Sequence, residues 1–470
     1  MPEAAISFGA YQRTGNPTLA ALNCYAEEYP SAGGKRLQMR ARAGLATFKT
    51  VGSGPIRAAQ QKDGIFDGAA VIVSGTGVFQ LASDGALTTL TGTIPGDDFV
   101  DLDSGQDADL VSMAYGATGE GLYLIQNGTV SREAFPDAAD DVGATSVCYH
   151  RGFWIATKAG TEQAYVKIPG DTTWAALSFQ SAEYKPDPLK GVRSRGDQVG
   201  MMGSSSFEVF ALSGVADPPL SPYGGLVYDH GCRSIATAVN CDSTLVYVDN
   251  RCQVRAWAGG EPQIVSGPGL AEQIRGVAAS DLRAWTYSAD GHVFYVLTLG
   301  SVATWVFDLN GSGEKWTTFN SLGYDFWRAH LGCSIGDVTL ACDRIDATVY
   351  RLDPDRRTDG STQFVVRFCG MIEGGEVQLP FDNLAVLCDL GDVPREGQGS
   401  APIIRARLSG NQGKTFGAWL ERPLAVTGDF TSVPKWNALG TIPAFLGTII
   451  EIEVPDPVGR IFKRMFVNTP

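Results

Sequence analysis

The sequence predicts an all-β protein built mainly as a β-propeller, and three observations support this prediction. Gly is abundant, at 57 of 470 residues, and aromatic residues make up 10%, which is typical of glycine-rich turns between aromatic-bearing strands. Period-2 alternation of apolar and polar residues is common from about residue 55 to residue 353, where no helical period of useful length appears. One strand–turn–strand pattern also recurs at intervals of roughly 40 to 50 residues, a repeat length typical of propeller blades.

The recurring unit consists of an apolar strand, a small polar turn and an aromatic-bearing strand. It occurs at AAVIVSGTGVFQLASDG, GLYLIQNGTVSREAF, GFWIATKAGTEQAYVKIPG, GDQVGMMGSSSFEVFALSG, LVYVDNRCQVRAWAGG, HVFYVLTLGSVATWVFDLNG and VTLACDRIDATVYRLDP. These stretches predict about seven blades, within a range of six to eight, because a single unit cannot bury both faces of its sheet. The aromatic residues after the turns are predicted to pack between blades: Phe79, Tyr165, Phe207, Phe210, Trp257, Trp305, Phe307 and Tyr350.

The two ends of the chain do not follow the repeat. Residues 1–54 are loop-like with short strands, and residues 360–470 contain further strands such as FVVRFCGMIE, LAVLCDLG and IIEIEV. We therefore expect three regions: an N-terminal segment 1–54, a propeller 55–355 and a C-terminal β-domain 356–470. The two end regions are predicted to combine into one additional β-domain, a sandwich or barrel that serves as a ring interface, with DPDRRTDGSTQ as the crossover.

Charge and cysteine content exclude several classes of protein. The net charge is −14 and no long basic run is present, which argues against tight phosphate binding. Nine cysteines without a C-x-x-C pair indicate scattered buried thiols in a reducing compartment. The N-terminus lacks the features of a signal peptide, and the apolar stretch LGTIPAFLGTII is too short to span a bilayer. We expect synthesis in a cytoplasm.

Three adjacent serines, Ser204, Ser205 and Ser206, raise the question of a nucleophile. A nucleophile elbow requires G-x-S-x-G between a strand and a helix, whereas Gly203 is followed here by the serines, no second Gly and a strand. None of the four histidines lies in a recognisable triad context: His150, His230, His292 and His330. The serines are predicted to form a hairpin turn in which their hydroxyls bind turn backbone groups.

The stretch SGNQGKTFGAW has two competing interpretations. Its Gly-Lys-Thr fails as a phosphate loop because Leu408 stands where the motif needs its first Gly. It resembles instead the Asp-box hairpin of sialidase-like proteins, with Asn for Asp and Phe for Trp. The positions concerned are Ser409, Asn411, Gly413, Thr415 and Phe416. In that motif the polar side chain folds back onto the turn, so the hairpin is a folding device and implies no catalysis.

Two groups of residues are candidate metal sites. Asp101, Asp103, Asp107 and Asp109 alternate around Gly105, as calcium-binding oxygens can. However, Ser112 stands where an EF-hand has its bidentate Glu, and a solvated acidic loop between strands is the preferred prediction. A zinc set of His230, Cys232, Cys241 and Cys252 lacks the spacing of a zinc knuckle. The sequence thus predicts no catalytic residue, no cofactor site and no metal site, and no pair of carboxylates stands out.

Several stretches resemble one protein family. The N-terminal LNCYAEEYP is followed by RARAGLATFKTVGSGPIRAA, and further likeness lies in GDQVGMMGSSSFEVFALSG, STLVYVDNRCQVRAW, the stretch 305–316 and GRIFKRMFV. In these features the chain is similar to the tail accessory proteins of short-tailed bacteriophages. These are also called packaged-DNA stabilisation, tail hub or nozzle proteins, and the likeness spans most of the chain.

The resemblance implies a structural virion protein rather than an enzyme. Family members have a β-propeller with an added β-domain and assemble as a six-fold ring below the portal and adaptor rings. There they help to close the packaged head, surround the DNA exit channel without reading its sequence, and carry tail fibres, spikes or needles. The implied location is the virion tail, after synthesis in the host cytoplasm and without membrane insertion. Two alternatives stay open: a sialidase-like glycan-processing propeller enzyme, and a receptor-binding module at the tail tip.

Overall fold

The chain folds almost entirely into β-strands in the computed structural model. The structure describes residues 5–7, 21–31, 34–106, 110–116, 121–136, 143–215, 219–312, 315–372, 378–389, 393–426, 428–429, 431–443, 448–459 and 461–468. Within these ranges lie 40 strands, a single α-helix, α1 (Pro268–Arg275), and short 3-10 turns at Phe66–Gly68, Ile235–Thr237 and Ala279–Asp281. No helix in these ranges is both long and apolar enough to cross a bilayer.

The strands fall into three runs along the chain. The first run is β1 (Ala5–Ser7), β2 (Cys24–Ser31), β3 (Gly34–Ala41) and β4 (Gly44–Thr50). The second run is β5 (Ile56–Gln60), β6 (Ala70–Ser74), β7 (Gly77–Leu81), β8 (Leu87–Thr93), β9 (Val100–Gln106), β10 (Leu110–Gly116), β11 (Leu122–Gln126), β12 (Thr129–Glu133), β13 (Ala144–His150), β14 (Phe153–Lys158), β15 (Gln163–Lys167), β16 (Phe179–Ser181), β17 (Leu189–Arg195), β18 (Gln198–Gly203), β19 (Phe207–Leu212), β20 (Leu220–Tyr228), β21 (Val239–Cys241), β22 (Thr244–Val248), β23 (Val254–Trp257), β24 (Gln263–Ile264), β25 (Leu282–Ala289), β26 (His292–Leu299), β27 (Ala303–Asp308), β28 (Trp316–Phe319), β29 (Ala329–Ile335), β30 (Val338–Asp343) and β31 (Thr348–Asp353). The third run is β32 (Thr358–Asp359), β33 (Thr362–Gln363), β34 (Val366–Ile372), β35 (Gln378–Cys388), β36 (Ile403–Ser409), β37 (Leu420–Pro423), β38 (Lys435–Pro443), β39 (Thr448–Val454) and β40 (Ile461–Asn468).

The second run forms the propeller, as successive antiparallel groups of strands. We number the groups as blades 1 to 7: β5–β8, β9–β12, β13–β16, β17–β20, β21–β24, β25–β28, and β29–β31 completed by β4. A parallel bridge between Thr91 and Thr129 joins blades 1 and 2 into one eight-stranded sheet. The first strands of neighbouring blades contact each other around the axis, except between blades 4 and 5, where β17 contacts the 3-10 turn Ile235–Thr237. The strand β29 of blade 7 contacts β5 of blade 1, so the ring is closed. The predicted all-β fold with a propeller is confirmed.

Blade 7 is completed by a strand from the N-terminal end of the chain. The strand β4 pairs antiparallel with β31, in a register running from Thr348 opposite Thr50 to Asp353 opposite Gly44. The short strand β32 then pairs with β4 on its other side. The predicted N-terminal segment 1–54 and the crossover DPDRRTDGSTQ therefore both contribute strands to the sheet of blade 7.

Aromatic side chains fill the space between blades, as predicted. Phe207 of blade 4 is fully buried and lies 4.9 Å from Trp257 of blade 5, ring centre to ring centre, at an angle of 82°. Gly200 makes room for it, because a Cβ at that position would lie 2.6 Å from the Phe207 ring. Of the eight predicted aromatic residues only Phe79 is half-buried, and the other seven are buried.

The two ends of the chain form a β-sandwich beside the propeller. One sheet has the strand order β1-β34-β39-β36-β37, and the other has the order β2-β3-β40-β35-β38. Their inner faces share one apolar core, with residues from both chain ends such as Met39, Phe368, Trp436 and Phe462. The predicted additional β-domain is thus present, and both ends are needed because each contributes strands to the same sheets.

The sandwich contacts blade 6 through the segment that leads into β2. Leu22 bridges Thr318 of β28, and the amide of Asn23 donates to the carbonyl of Thr318 at 2.8 Å. Tyr25 packs edge-on against His292, with ring centres 5.0 Å apart. A short backbone pairing and an aromatic contact therefore connect the two domains.

Arg42 lies at the centre of this connection and is 1% exposed. Its Nη1 and Nη2 atoms donate to the two carboxylate oxygens of Asp359 at 2.8 and 2.7 Å. Its Nε donates to Oδ1 of Asn23 at 2.9 Å, and its Nη2 donates to the carbonyl of Asn320 at 2.9 Å. The guanidinium also lies 3.9 Å from the ring centre of Phe364. A buried arginine is stable only with this degree of hydrogen bonding, so all its partners must be in place.

The serine turn of blade 4 is held by a single carboxylate. Asp187 accepts hydrogen bonds from the amides of Ser205 and Ser206 at 2.5 and 3.2 Å. It also accepts the hydroxyl protons of Ser206 and Ser204 at 2.7 and 3.2 Å. Burial acts to raise the pKa of Asp187, but these hydrogen bonds outweigh burial and hold its pKa below the usual value. The ionised side chain fixes the turn between β18 and β19.

Replacing Arg42 by Met should lower the free energy of unfolding by about 3–5 kcal/mol, because Asp359 would remain buried without its counter-charge. Urea denaturation followed by tryptophan fluorescence measures the change. The matched control is Arg351→Met, since the Arg351 side chain is 49% exposed and its ion pair with Asp353 is 3.7 Å long. The control should change the free energy by less than about 1 kcal/mol. Equal stability of the two variants would contradict the role given to Arg42.

Replacing Asp187 by Asn should lower the free energy of unfolding at neutral pH by about 1–3 kcal/mol. A depressed folded pKa stabilises the protein above the unfolded Asp pKa of about 3.9, and this stabilisation is lost as pH falls through the folded pKa. The difference in urea denaturation between wild type and variant should therefore shrink below about pH 4. Asp171→Asn, at an exposed position, is the control and should show little difference at either pH. A pH-independent difference for Asp187→Asn would refute the assignment.

Candidate functional site

A concave site lies along the propeller axis, with a cavity of about 610 Å³. The first strands of the blades line it, together with the 3-10 turn Ile235–Thr237. Its charged lining residues are Lys62, Asp101, Asp103, Arg193 and Asp242. A volume of this size lies within the roughly 300–1,000 Å³ typical of small-molecule pockets. The channel can bind or convert a ligand only if these charged side chains are not already occupied by hydrogen bonds within the protein.

Asp101 and Arg193 neutralise each other across the channel. The Nη1 and Nη2 atoms of Arg193 donate to the two oxygens of Asp101, both at 2.8 Å. The hydroxyl of Ser146 donates to the same carboxylate at 2.6 Å, and Nε of Arg193 donates to the carbonyl of Ala238 at 2.9 Å. Burial opposes the charge of Arg193, but the nearby Asp101 outweighs it and raises the pKa of Arg193. The network connects blades 2, 3, 4 and 5, so these groups are structural.

Asp103 lies two residues further along strand β9, and both of its carboxylate oxygens also accept hydrogen bonds. Its two oxygens accept the amides of Tyr149 and Ser104, each at 2.8 Å. Burial raises its pKa, and the charge of Lys62 acts in the opposite direction. Nζ of Lys62 donates to the carbonyl of Ser104 at 2.6 Å and lies 4.8 Å from the ring centre of Tyr149. Asp103 thus binds strand β9 to strand β13.

The predicted acidic loop is only partly a loop. Asp101 and Asp103 lie in strand β9, which corrects the expectation of a solvated loop, because Asp101 is buried beside Arg193. Asp107 and Asp109 lie outside the described residues, and Ser112 lies in β10. The described part of the chain contains no group of three or more His, Cys, Asp or Glu side chains placed to hold a metal ion.

The four residues of the candidate zinc set are all buried. Nδ1 of His230 lies 3.3 Å from the hydroxyl of Tyr247. Burial raises the pKa of Cys232 and of Cys241 to about 12, so both are protonated thiols at neutral pH. Cys252 is buried in the apolar core between blades 5 and 6.

The segment that carries His230 lies beside the serine turn, because the amide of Cys232 donates to the carbonyl of Gly203 at 2.8 Å. Within the described residues, however, no hydroxyl of the turn is hydrogen-bonded to a histidine. The hydroxyls of Ser204 and Ser206 donate to Asp187. Burial lowers the pKa of His150 and His230 to about 4 and that of His330 to about 3, so all three are neutral at pH 7. His292 is different, because its hydrogen bond to Asp308 raises its pKa.

One serine–histidine contact was not predicted from sequence. Nδ1 of His150 lies 2.8 Å from Oγ of Ser194, which lines the channel. The other ring nitrogen of His150 is buried without a partner among the described residues. In the described ranges no carboxylate is hydrogen-bonded to the imidazole, as a catalytic triad requires. The contact joins strands β13 and β17, which belong to different blades. Since these strands become neighbours only in the folded ring, the sequence alone could not reveal the contact.

The Asp-box-like hairpin lies in the sandwich, between β36 and β37. Oδ1 of Asn411 accepts the amide of Thr415 at 2.9 Å, and Oγ of Ser409 accepts the amide of Gly413 at 2.8 Å. Phe416 packs against the guanidinium of Arg407 at 4.3 Å. The side chains fold back onto the turn as expected, and the hairpin lies outside the channel.

The chain has a low similarity to several solved structures. The chain is similar to virginiamycin B lyase from Staphylococcus aureus, at 12% identity, covering 63% of this chain and 94% of that chain with a TM-score of 0.45. It is also similar to Raptor from Chaetomium thermophilum, at 10% identity over 67% of this chain and 28% of that one, with a TM-score of 0.43. The WD40 propeller domain of Doa1 has 9% identity, coverages of 66% and 96%, and a TM-score of 0.40. With TM-scores below 0.5, these likenesses carry no argument about fold or function.

Sequence comparison gives a more specific result. No curated protein sequence matches the chain. A phage stabilisation family, described as "Bacteriophage P22 Gp10, beta-propeller", matches residues 16–357, which is more than half of the chain and includes every blade. The chain therefore belongs to this bacteriophage family of propeller proteins, in agreement with the resemblance to phage tail and DNA-stabilisation proteins.

Proposed function

We propose that the chain is a structural tail protein of a short-tailed phage, a hub or nozzle subunit that forms a ring below the portal and adaptor. In this position it closes the filled head, stabilises the packaged DNA and surrounds the path of ejection. The observation that carries the proposal is the family match over residues 16–357. The proposed partners are further copies of the chain, the adaptor on the portal side, and a fibre, spike or needle protein.

The DNA path would lie between copies of the chain and not along a propeller axis. The axial cavity has the volume of a small-molecule site, about 610 Å³. The Asp101–Arg193 pair and its hydrogen bonds further occupy the channel between the blades. A duplex cannot pass through such a space, so several copies arranged around an axis are needed to enclose one.

The division of charge supports weak contact with DNA. Residues 51–355 contain 19 Lys and Arg against 36 Asp and Glu, a net charge of −17, whereas the rest of the chain contains 18 against 15, a net charge of +3. Affinity for duplex DNA comes largely from cations that replace phosphate counterions. A channel lined by the acidic propeller would therefore repel the backbone and let the DNA slide during ejection.

The two alternative functions lack a specific observation in their favour. A glycan-processing propeller needs an arginine cluster and a free carboxylate in its central pocket, but Arg193 is the one arginine among the residues lining this pocket and is paired with Asp101. The Asp-box-like hairpin lies in the sandwich and carries no catalytic group. For a receptor-binding module, no described surface is singled out by the contacts. A non-enzymatic role is therefore part of the proposal.

Electron microscopy of intact particles should show this chain as a closed ring below the portal and adaptor, with six copies around the axis. The lumen should be lined mainly by Asp and Glu of residues 51–355. A single copy at the tail tip would instead favour receptor binding, and a lumen lined by Lys and Arg would refute the acidic channel.

The purified protein should also bind duplex DNA weakly, because its propeller repels phosphate. Fluorescence anisotropy with a labelled duplex of about 30 base pairs should give a dissociation constant no tighter than the roughly 10⁻⁴–10⁻⁶ M of non-specific binding. Nanomolar affinity at physiological salt would contradict the proposal. Hydrolysis of fluorogenic glycosides by the same preparation would favour the enzyme alternative.

A further inference from the structure

A second pocket, of about 140 Å³, lies where blades 1, 6 and 7 meet. It is lined by the beginnings of the inner strands β5, β25 and β29 and by the loop before β9. Phe99 of that loop lines both this pocket and the axial channel. The pocket is therefore next to the channel, but its charged residues are different ones.

The charged residues of the pocket are three arginines and three aspartates: Arg57, Asp97, Asp98, Asp281, Arg283 and Arg344. The guanidinium of Arg57 is already occupied by four backbone carbonyls, those of Gly75, Ile94, Pro95 and Asp98. His330 also lines the pocket and is neutral at pH 7, because burial lowers its pKa to about 3. The formal charges cancel, so the binding properties of the pocket depend on where free N–H groups lie.

Arg283 and Arg344 have such groups. Nη1 of Arg283 donates to the carbonyls of Ser280 and Leu282, the latter at 2.8 Å. Nη1 of Arg344 donates to the carbonyl of Gly300. In the described part of the chain, Nε and Nη2 of both arginines have no acceptor, and neither arginine forms an ion pair. Two guanidiniums of this pocket therefore have N–H groups left for an anion.

Aromatic rings hold both guanidiniums in place. Arg283 lies 5.1 Å from the ring centre of Phe99, and Arg344 lies 4.9 Å from that of Phe326. A guanidinium stacked on a ring is preorganised, so it loses less side-chain freedom when it binds a ligand.

The positive charge of these two arginines is only partly compensated. Arg328 shows the compensated case, because Asp343 lies 2.6 Å from it, outweighs burial and raises the pKa of the arginine. Burial instead lowers the pKa of Arg283 to about 10 and also lowers the pKa of Arg344, although Asp281 acts in the opposite direction on both. A desolvated cation without a close carboxylate is stabilised when an anion binds beside it.

We propose that this pocket binds a carboxylate group, with Arg283 and Arg344 donating to its oxygens. The planar fork of a guanidinium matches the two oxygens of a carboxylate. A volume of about 140 Å³ is smaller than the roughly 300–1,000 Å³ of small-molecule pockets, so the pocket accepts the carboxylate group and not a whole sugar or nucleotide. The three aspartates would repel a phosphate more strongly, because phosphate carries about −1.5 to −2 charges at pH 7. The carboxylate belongs to a small acid or to an acidic side chain of another protein chain.

The test is NMR spectroscopy of the full chain, labelled at the δ1 methyl groups of isoleucine. Ile56 lines the pocket and Ile345 directly follows Arg344, so their signals report on it. Ile56→Val and Ile345→Val assign these signals. Titration with acetate at constant ionic strength should shift both signals with a millimolar dissociation constant, as expected for so small a ligand. The signal of Ile452, in the core of the sandwich, should not shift.

Substitutions test the role of the charges. Arg283→Gln should weaken acetate binding about tenfold or more, and Arg283→Lys should retain part of the affinity, because lysine keeps the charge without the planar fork. Asp98→Asn should tighten acetate binding, because it removes a competing negative charge from the pocket. The matched control is Arg275→Gln, at an exposed arginine of α1 outside the pocket, which should bind acetate like the wild type. Since Arg283 has no ion-pair partner to leave behind, the melting temperatures should stay close to that of the wild type.

A second probe identifies the source of the carboxylate. A tripeptide of alanine, glutamate and alanine, blocked at both ends, presents the group as an acidic side chain of a protein does. Shifts of Ile56 and Ile345 with this peptide as well as with acetate would extend the site to a partner chain. Shifts with acetate alone would support a site for small acids.

Three results would overturn the proposal. These are the absence of a shift with acetate, equal affinity of the wild type and Arg283→Gln for acetate, and tighter binding of inorganic phosphate than of acetate. The site does not depend on the proposed ring, because the titration uses the isolated chain. The ring is tested separately by counting copies in the particle, so a negative titration would leave the proposed function intact.

Discussion

The fold depends on one buried guanidinium. Arg42 joins the entry to the sandwich at Asn23, the end of blade 6 at Asn320, and the crossover at Asp359. The strand β4, which completes blade 7, begins two residues after it. Ring closure and the position of the sandwich therefore share one set of hydrogen bonds. Because a buried charge without these partners is strongly unfavourable, the chain has few alternatives to this arrangement.

Inside the ring, charged side chains hold neighbouring blades together. Asp101 and Arg193 bind blades 2 to 5 around the axis, and Asp103 binds blade 2 to blade 3. Each group is satisfied by its neighbours, which leaves little free donor or acceptor capacity for a substrate. Membership of a phage structural family agrees with such an interior. The surfaces that interact with other molecules would then lie on the outside of the propeller and on the sandwich.

In the proposed ring, the distribution of charge between the two domains would guide the association of copies. The acidic propeller and the slightly basic ends have different electrostatic character within one chain. Like charges disfavour contact between two propellers, while opposite charges favour contact between a propeller and the sandwich of a neighbour. In the proposed ring this single property would keep the channel acidic and direct each copy onto the next.

The sequence determined the fold class because the signals for strands and turns are local. Six of the seven repeated stretches coincide with the second and third strands of a blade, and GLYLIQNGTVSREAF coincides with the third and fourth strands, β11 and β12. The serine turn was likewise predictable from composition, although its partner Asp187 was not. Only the tertiary structure decided the partners that lie far apart in the chain. The pairing of β4 with β31, the Arg42–Asp359 pair and the Asp101–Arg193 pair join residues roughly 90 to 320 positions apart. No local pattern encodes such contacts, since they arise only when the ring closes and brings the inner strands together.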